Sequence, residues 1–393
     1  MIGKDSSRRA RFALLALFAA PLGALGAATS SSGSASASEN PPVSSFATSV
    51  SIGGTTYAAI PMGELGDQSN TFWQLFRLRA GSTHWQLATP PGIADNGGLV
   101  IEGGTPSALS VAIRPSQYLT FTAIATAGEH SSWSNGGLIP GALVGEPTTF
   151  VGTNSVAFAA VNTGGGAILR SKAGGLHWAK IASASSLTNV AAGACRVSSV
   201  QSLATGAGSS LYAGANCSSG DRAGVFEYVA SSWREIGPKL SALGDHASRS
   251  VLLLSTSTRG LVAVIVTSSS STTRLVTARS SSDAKAWETS PSMTLPSSAS
   301  IISTGALGTS VVYVVWRNNG VFAAISRANG RWQMLPKLPQ DAETVAVPPG
   351  SSAPIDALGG HRSTFFAWRL DPRTSHWQQT ETINVPIIYG SSQ

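Results

Sequence analysis

Charge is scarce in this chain. Asp, Glu, Lys and Arg make up 11% of its 393 residues, against about a quarter in an ordinary soluble domain. Ser, Thr, Gly and Ala stand where helical surfaces carry Lys, Glu and Arg, so the deficit argues for β-structure. Only two cysteines occur, Cys195 and Cys217. That excludes a cysteine-dense scaffold and, without nearby His or Cys ligands, a structural zinc site. Sustained helical periodicity is lacking after residue 28. There is no HExxH, no Gly-x-Ser-x-Gly, no phosphate-cradling glycine loop and no EF-hand loop. No cofactor and no metal are expected.

What is present begins with an address. Residues 4–11 are basic, and Phe12 to about Leu25 is apolar. Small residues follow at Gly26, Ala27 and Ala28, a pattern that reads as a signal peptide over residues 1–28. Arg8-Arg9 resembles a twin-arginine signal with one extra residue before Phe12, so both Sec and Tat export stay open. Residues 29–45 are rich in Ser and Ala and end in Pro41-Pro42, the composition of a linker. Export places the chain outside the cytoplasm, with no membrane span once the signal is removed. In that oxidising setting Cys195 and Cys217, 22 residues apart, read as a disulfide.

The net charge is +7. Its basic residues are scattered rather than clustered or interleaved with aromatics, which argues against nucleic acid as a partner. A mildly basic surface would favour anionic glycans or wall polymers.

Seven tryptophans close a recurring phrase: Trp85, Trp133, Trp178, Trp233, Trp287, Trp332 and Trp377. Their successive spacings are 48, 45, 55, 54, 45 and 45 residues, the length of a four-stranded propeller blade. A short alternating run precedes each turn, as in Phe76–Arg79, Val225–Tyr228 and Phe322–Arg327. Further upstream lies a continuous apolar run, as in Leu261–Val266 and Val311–Trp316. Continuous runs suit strands buried on both faces, and alternating runs suit strands nearer the rim. The Ser- and Gly-rich stretches near 205–222 and 268–272 read as loop insertions in the two longer repeats. Residues 46–393 are therefore expected to form one all-β domain, a β-propeller of about seven four-stranded blades, with six and eight as alternatives. Two segments compete to complete the first blade, residues 46–53 and the last 16 residues.

The phrase Ser171-Lys172-Ala173-Gly174-Gly175-Leu176-His177-Trp178 resembles the Asp-box (BNR) repeat of sialidase-type propellers, Ser-x-Asp-x-Gly-x-x-Trp. It keeps Ser171, Gly175 and Trp178 and has Ala173 in the Asp position. Ser280 to Trp287 is a looser match, with Asp283 one place late. The resemblance implies a rim turn in which a carboxylate caps backbone amides and the aromatic ring packs between strands. It implies fold rather than activity.

A sialidase-like activity would need an arginine cluster, a Tyr–Glu nucleophile pair and an acid/base carboxylate. The first arginine of that family precedes Ile-Pro, and here Ala59 precedes Ile60-Pro61. Tyr118, Tyr212, Tyr313 and Tyr389 have no Glu partner that spacing assigns. His84, His177 and His376 directly precede repeat tryptophans and read as turn residues. Asp245-His246 and Gly360-His361 read as solvated loops, Gly164–Gly166 as a hairpin turn, and Glu64, Asp67, Asp95 and Glu102 as inter-strand loop residues. No catalytic set follows. The leading expectation is an exported, monomeric, non-catalytic propeller binding a protein or glycan at the bacterial cell surface. The alternatives are a divergent sialidase-like glycoside hydrolase or polysaccharide lyase, and an extracytoplasmic scaffold or assembly factor.

Overall fold

In the computed structural model the described residues fall between Ala47 and Pro386, with masked interruptions at several loops, among them 64–71, 90–97, 115–121, 128–133, 141–149, 241–247 and 348–353. Within them the chain forms twenty-nine strands and one helix. The first unit is β1 (Thr48–Ile52), β2 (Thr55–Met62), β3 (Phe72–Leu78) and β4 (Gln86–Leu87). The second is β5 (Gly98–Thr105), β6 (Ala108–Arg114), β7 (Thr122–Ala127) and β8 (Ser134–Leu138). The third is β9 (Phe150–Gly152), β10 (Ala157–Val161), β11 (Ala167–Ser171) and β12 (Trp178–Ser183), followed by helix α1 (Ala184–Ala191). The fourth is β13 (Val197–Thr205), β14 (Leu211–Cys217), β15 (Gly224–Val229) and β16 (Ser232–Glu235). The fifth is β17 (Ser248–Ser257), β18 (Gly260–Ser268), β19 (Thr273–Ser280) and β20 (Trp287–Thr289), with β21 (Met293–Leu295) also paired to β19. The sixth is β22 (Ser300–Leu307), β23 (Val311–Arg317), β24 (Val321–Ser326) and β25 (Trp332–Met334). The seventh is β26 (Thr344–Ala346), β27 (Asp356–His361), β28 (Thr364–Asp371) and β29 (His376–Asn384).

Every unit is an antiparallel meander paired in chain order. The first strands of the units are neighbours in a ring: β1 lies against β5, β5 against β9, β9 against β13, β13 against β17, β17 against β22, β22 against β26, and β26 against β1. Sequential four-stranded meanders around a closed ring of first strands make this a β-propeller.

Burial follows hydrophobic pattern. β18 and β23 are the continuous apolar runs, and their interior residues are buried on both faces between neighbouring units. The alternating runs are the third strands β3, β11, β15 and β24. They are more buried than their alternation implies, with only one or two residues of each out of the core. The reason is positional: the fourth strand shields the third, so the rim exposure falls on β20, β25 and β29.

Three expectations are corrected. Helix α1 stands in a region read as purely β. It is two turns long, below the length at which periodicity is visible. Ser183 caps it through a reciprocal capping box with Ser186, and Ala192 ends it at φ 48°. Ala184, Leu187 and Ala191 bury one face against the core shared by the third and fourth units. The helix and the segment after it carry the extra length of the fourth unit, whereas the stretch 205–222 holds strand β14. Finally, Glu102 lies in strand β5 rather than in a loop.

The first unit is completed by β1, paired to β2 from Thr48↔Ala59 to Ile52↔Thr55. Of the last 16 residues, 378–384 belong to β29, the outer strand of the seventh unit, and 387–393 lie outside the described residues. Among the described residues the first and seventh units meet through side chains and a short backbone bridge, Gly63 with Arg362.

Candidate functional site

The first strands are where a propeller binds along its axis, and here they are Ser- and Thr-rich. Tyr313 on β23 is fully buried, and its hydroxyl is the hub of a polar cluster. Ser49 N–H donates to it at 2.9 Å, and Thr344 Oγ1 lies 2.9 Å away. Ser303 Oγ is 2.8 Å from Thr344 Oγ1 and donates to the Ala47 carbonyl at 2.5 Å. Ser49 Oγ donates to Val345 O at 2.6 Å, and Thr48 Oγ1 to Thr304 O at 3.1 Å. Gly305 faces Tyr313 across the sheet; a Cβ there would sit 2.5 Å from the phenol oxygen. The cluster joins the first, sixth and seventh units, and its groups are engaged with one another. It is a structural polar core more than a reactive one.

Charged groups gather at the end where second strands finish and first strands begin. Glu343, just before β26, is buried and lies 3.4 Å from Arg317 Nη2, while its Oε2 has no partner among the described residues. Burial pushes its carboxyl up to about 8, against the pull of Arg317 and with Asp341 adding to the rise. In the fourth unit Arg222 pairs with Glu235 at 3.5 Å and Lys239 with Asp221 at 3.2 Å. Burial lifts the Glu235 carboxyl to about 6, with Arg222 and the Gly237 N–H opposing. Among the described residues no group of three or more His, Cys, Asp or Glu is arranged to hold a metal.

Tyr212 does have a glutamate partner that sequence spacing did not assign. The β14–β15 register places it opposite Glu227, and its hydroxyl donates to Glu227 Oε1 at 3.3 Å. Burial and the Glu227 charge both raise the phenol. Arg234 on β16 ion-pairs with the same carboxylate. The pair sits on the second and third strands, away from the axis. Tyr118 and Tyr389 lie outside the described residues. Ala59 is fully buried in β2, in the first-unit core.

Three of the repeat tryptophans share one task. Trp233 Nε1 donates to Ile181 O at 3.0 Å, Trp287 Nε1 to Ile236 O at 2.5 Å, and Trp377 Nε1 to Pro336 O at 3.3 Å. Each acceptor lies just after the tryptophan-bearing strand start of the preceding unit. Trp85 has instead a side-chain acceptor in the seventh unit, Asp356 Oδ2 at 3.2 Å. Trp178 and Trp332 stand at the same strand position, but their buried indole N–H groups have no partner among the described residues. Trp133 lies outside them.

The turns before these tryptophans use aspartate. Asp283 accepts from Ser281 Oγ at 2.5 Å and from Lys285 N at 3.2 Å, which holds its carboxyl below the usual range. Asp371 accepts from Arg373 N at 2.8 Å and is lowered for the same kind of reason. The other Asp-box-like phrase, over 172–176, lies outside the described residues. His84, His177, His361 and His376 are exposed; His84 Nδ1 is 3.0 Å from Glu381 Oε2. Gly166 closes the β10–β11 hairpin at φ 96°. Glu64, Asp67, Asp95, Asp245 and His246 lie outside the described residues.

Cys195 and Cys217 are disulfide-bonded, S–S 2.07 Å. The bond ties the segment after α1 to the end of β14, beside Gly224, where a Cβ would meet Cys217 Sγ at 2.8 Å.

No family model and no curated protein match this chain. It is similar in shape to several solved structures. One is YCF48 bound to a D1 peptide, at 14% identity and TM-score 0.42, covering 81% of this chain and 91% of that one. A second is a protein from Lactobacillus plantarum, at 11% identity and TM-score 0.49, covering 84% and 96%. A third is a lectin from Aleuria aurantia in complex with Fucα1-6GlcNAc, at 13% identity and TM-score 0.42, covering 89% and 98%. The strand pairing and the closed ring of first strands define the class of this chain, a β-propeller.

Proposed function

We propose that this chain is an exported propeller that binds a protein or glycan partner at the cell surface without transforming it. The observation that carries the reading is the self-satisfied hydroxyl cluster around Tyr313 where the first strands of three units converge. A glycosidase places two carboxylates within several ångströms of the scissile bond; this position holds Ser, Thr and Tyr bonded to one another. The half-buried Glu235 and the buried Glu343 are each turned to an arginine. Export is supported by the basic and apolar N-terminal segment and by the disulfide. The Asp283 and Asp371 turns suit a degenerate Asp-box ancestry.

The test is a paired screen of the full chain produced by an export route. Fluorogenic sialosides and related glycosides report turnover, while immobilised glycans and cell-surface extracts report binding. Saturable binding without turnover supports the reading. Turnover that follows the folded protein through purification overturns it in favour of a sialidase-like hydrolase.

A further inference from the structure

The third strands share one recurring position. One residue before the strand partner of the repeat tryptophan stand Arg170, Glu227, Arg279, Ile325 and Arg369, in the third to seventh units. Two of these arginines show that the position is directed at the following unit. Arg279 Nη2 donates to Arg327 O of the sixth unit at 2.9 Å. Arg369 holds Asp356, which receives Trp85 of the first unit. Arg170 of the third unit is directed the same way. It stands opposite Phe158 and two residues from Ile168, on one face of the sheet, and both belong to the core shared with the fourth unit. Its side chain is exposed and has neither hydrogen bond nor ion pair among the described residues.

What meets Arg170 across this seam is particular to the fourth unit. Six residues separate Ser171 from Trp178, Ser280 from Trp287 and Leu370 from Trp377, and five separate Ser326 from Trp332. Four separate Tyr228 from Trp233, which closes the hairpin in a two-residue turn at Ala230 and Ser231, φ 47° and 64°. Longer turns reach into their seams. Ala284 is buried in the core between the fourth and fifth units, and Arg327 O receives Arg279. In the fourth unit Val229, Ala230, Ser231 and Ser232 are all exposed, so its short hairpin leaves the seam open. Tyr228 also takes the place that Ser171, Ser280 and Ser326 hold in their units. Its ring lies 5.0 Å from that of Trp233, and both pack half-buried against the core that contains Phe158. Trp233 is anchored on Ile181 O at the bulge of β12, two residues from Ala179, the strand partner of Arg170. A guanidinium and two aromatic rings thus border one gap.

We propose that the seam between the third and fourth units is a subsite for a carboxylate-bearing sugar residue of a glycan. This rests on the binding-module reading above and names its ligand class. The planar fork of Arg170 matches a carboxylate through two parallel hydrogen bonds. Tyr228 and Trp233 offer rigid apolar faces to the C–H side of a pyranose ring. A neutral sugar would use the rings without the guanidinium, and a bare inorganic anion the guanidinium without the rings. The experiment titrates the full chain with oligogalacturonate and with the same oligosaccharide reduced at its carboxyl groups, by calorimetry. Three variants are compared, each checked for an unchanged thermal unfolding midpoint. Arg170→Gln is expected to weaken oligogalacturonate binding about tenfold. Tyr228→Ser, which restores the residue of the other units, is expected to weaken it about fivefold. Lys180→Gln removes the same charge from an exposed residue of β12 opposite Leu169, on the other face of the sheet, and is expected to stay within about twofold.

Equal losses for Arg170→Gln and Lys180→Gln would reduce the effect to net charge and overturn the proposal. Equal affinity for the carboxyl-reduced oligosaccharide would do the same, since the guanidinium would then have no part. Tighter binding of poly-glutamate, lost in Arg170→Gln, would assign the seam to an acidic peptide instead. If Tyr228→Ser does not fold, Arg170→Gln decides alone, because that side chain is exposed. Absence of oligogalacturonate binding, with a protein or neutral glycan still captured, would sink the seam site and leave the binding-module reading standing. Turnover of fluorogenic glycosides would sink that reading, and the comparison of Arg170→Gln with Lys180→Gln would still decide the seam.

Discussion

The indole N–H of Trp85 in the first unit reaches the buried carboxylate of Asp356 in the seventh, at 3.2 Å. Asp356 is in turn clamped by Arg369, whose Nε and Nη2 donate at 2.8 and 3.0 Å. At Trp233, Trp287 and Trp377 the same tryptophan position reaches a backbone carbonyl of the preceding unit. The joint between the seventh and first units therefore uses a charged side chain where those three joints use main chain. Phe76 and Phe365 stack across this same seam, with centroids 3.9 Å apart.

Breaking that clamp is expected to be costly. Asp356→Ala leaves a half-buried guanidinium unpaired, and the loss in unfolding free energy should be about 3–5 kcal/mol. Trp85→Phe removes the donor together with part of the buried indole, leaving the carboxylate with Arg369, and should cost about 1–3 kcal/mol. Urea unfolding of the two variants checks the order; a smaller effect for Asp356→Ala than for Trp85→Phe would contradict the closure role.

The other tryptophans give an internal comparison. Trp287→Phe removes a 2.5 Å hydrogen bond to Ile236 O, whereas Trp178→Phe removes an indole N–H with no partner among the described residues. Trp287→Phe should be the more destabilising by about 1 kcal/mol. Matched denaturant midpoints for the two would count against indole donation as the joint between units.

Tyr313→Phe removes the hydroxyl that Ser49 N–H, Ser303 Oγ and Thr344 Oγ1 surround. Since a buried donor is then left unmatched, a loss of about 1–3 kcal/mol is expected. Calorimetric unfolding of the variant measures it, and neutrality would mean that water takes the vacated place.

Stability should fall as pH rises from mildly acidic to mildly basic. Glu343 has a folded pKa of about 8, above its unfolded value of 4.5. The folded state thus holds the proton where the unfolded chain has released it. Its stabilising contribution is complete below about 4.5 and is lost as pH rises through about 8. The slope is on the order of 1 kcal/mol per pH unit inside that window. Glu235, raised to about 6, adds in the same direction over a narrower window. Glu343→Gln should flatten the profile of unfolding free energy against pH; an unchanged slope would place the proton elsewhere.

Reduction of Cys195–Cys217 should lower the unfolding free energy by about 2–4 kcal/mol by freeing the chain they close. The first loss should fall on α1 and the end of β14. Hydrogen exchange with and without reductant locates it, and uniform loosening of all units would argue against a local role.

Much of the architecture was legible because it depends on local pattern. Trp spacing marked the repeat, and apolar runs such as Leu261–Val266 marked the second strands, since a strand buried on both faces has no polar alternation. Other features were hidden for physical reasons. Helix α1 is held by a serine cap and three buried residues, too short to show a period. The Tyr212–Glu227 pair is 15 residues apart and meets only through strand register. The greater burial of the third strands depends on which strand lies outside them.

The sequence by itself determined an all-β repeat: its low charge, its regularly spaced tryptophans and its apolar runs are local properties that any folded form of this chain must satisfy. Tertiary structure decided which segments meet. It placed β1 beside β2 in the first unit, set Trp85 against Asp356, and gathered Ser49, Ser303 and Thr344 around the Tyr313 hydroxyl. Those contacts join residues as far as 296 positions apart, and only closure of the ring brings such positions within hydrogen-bonding distance.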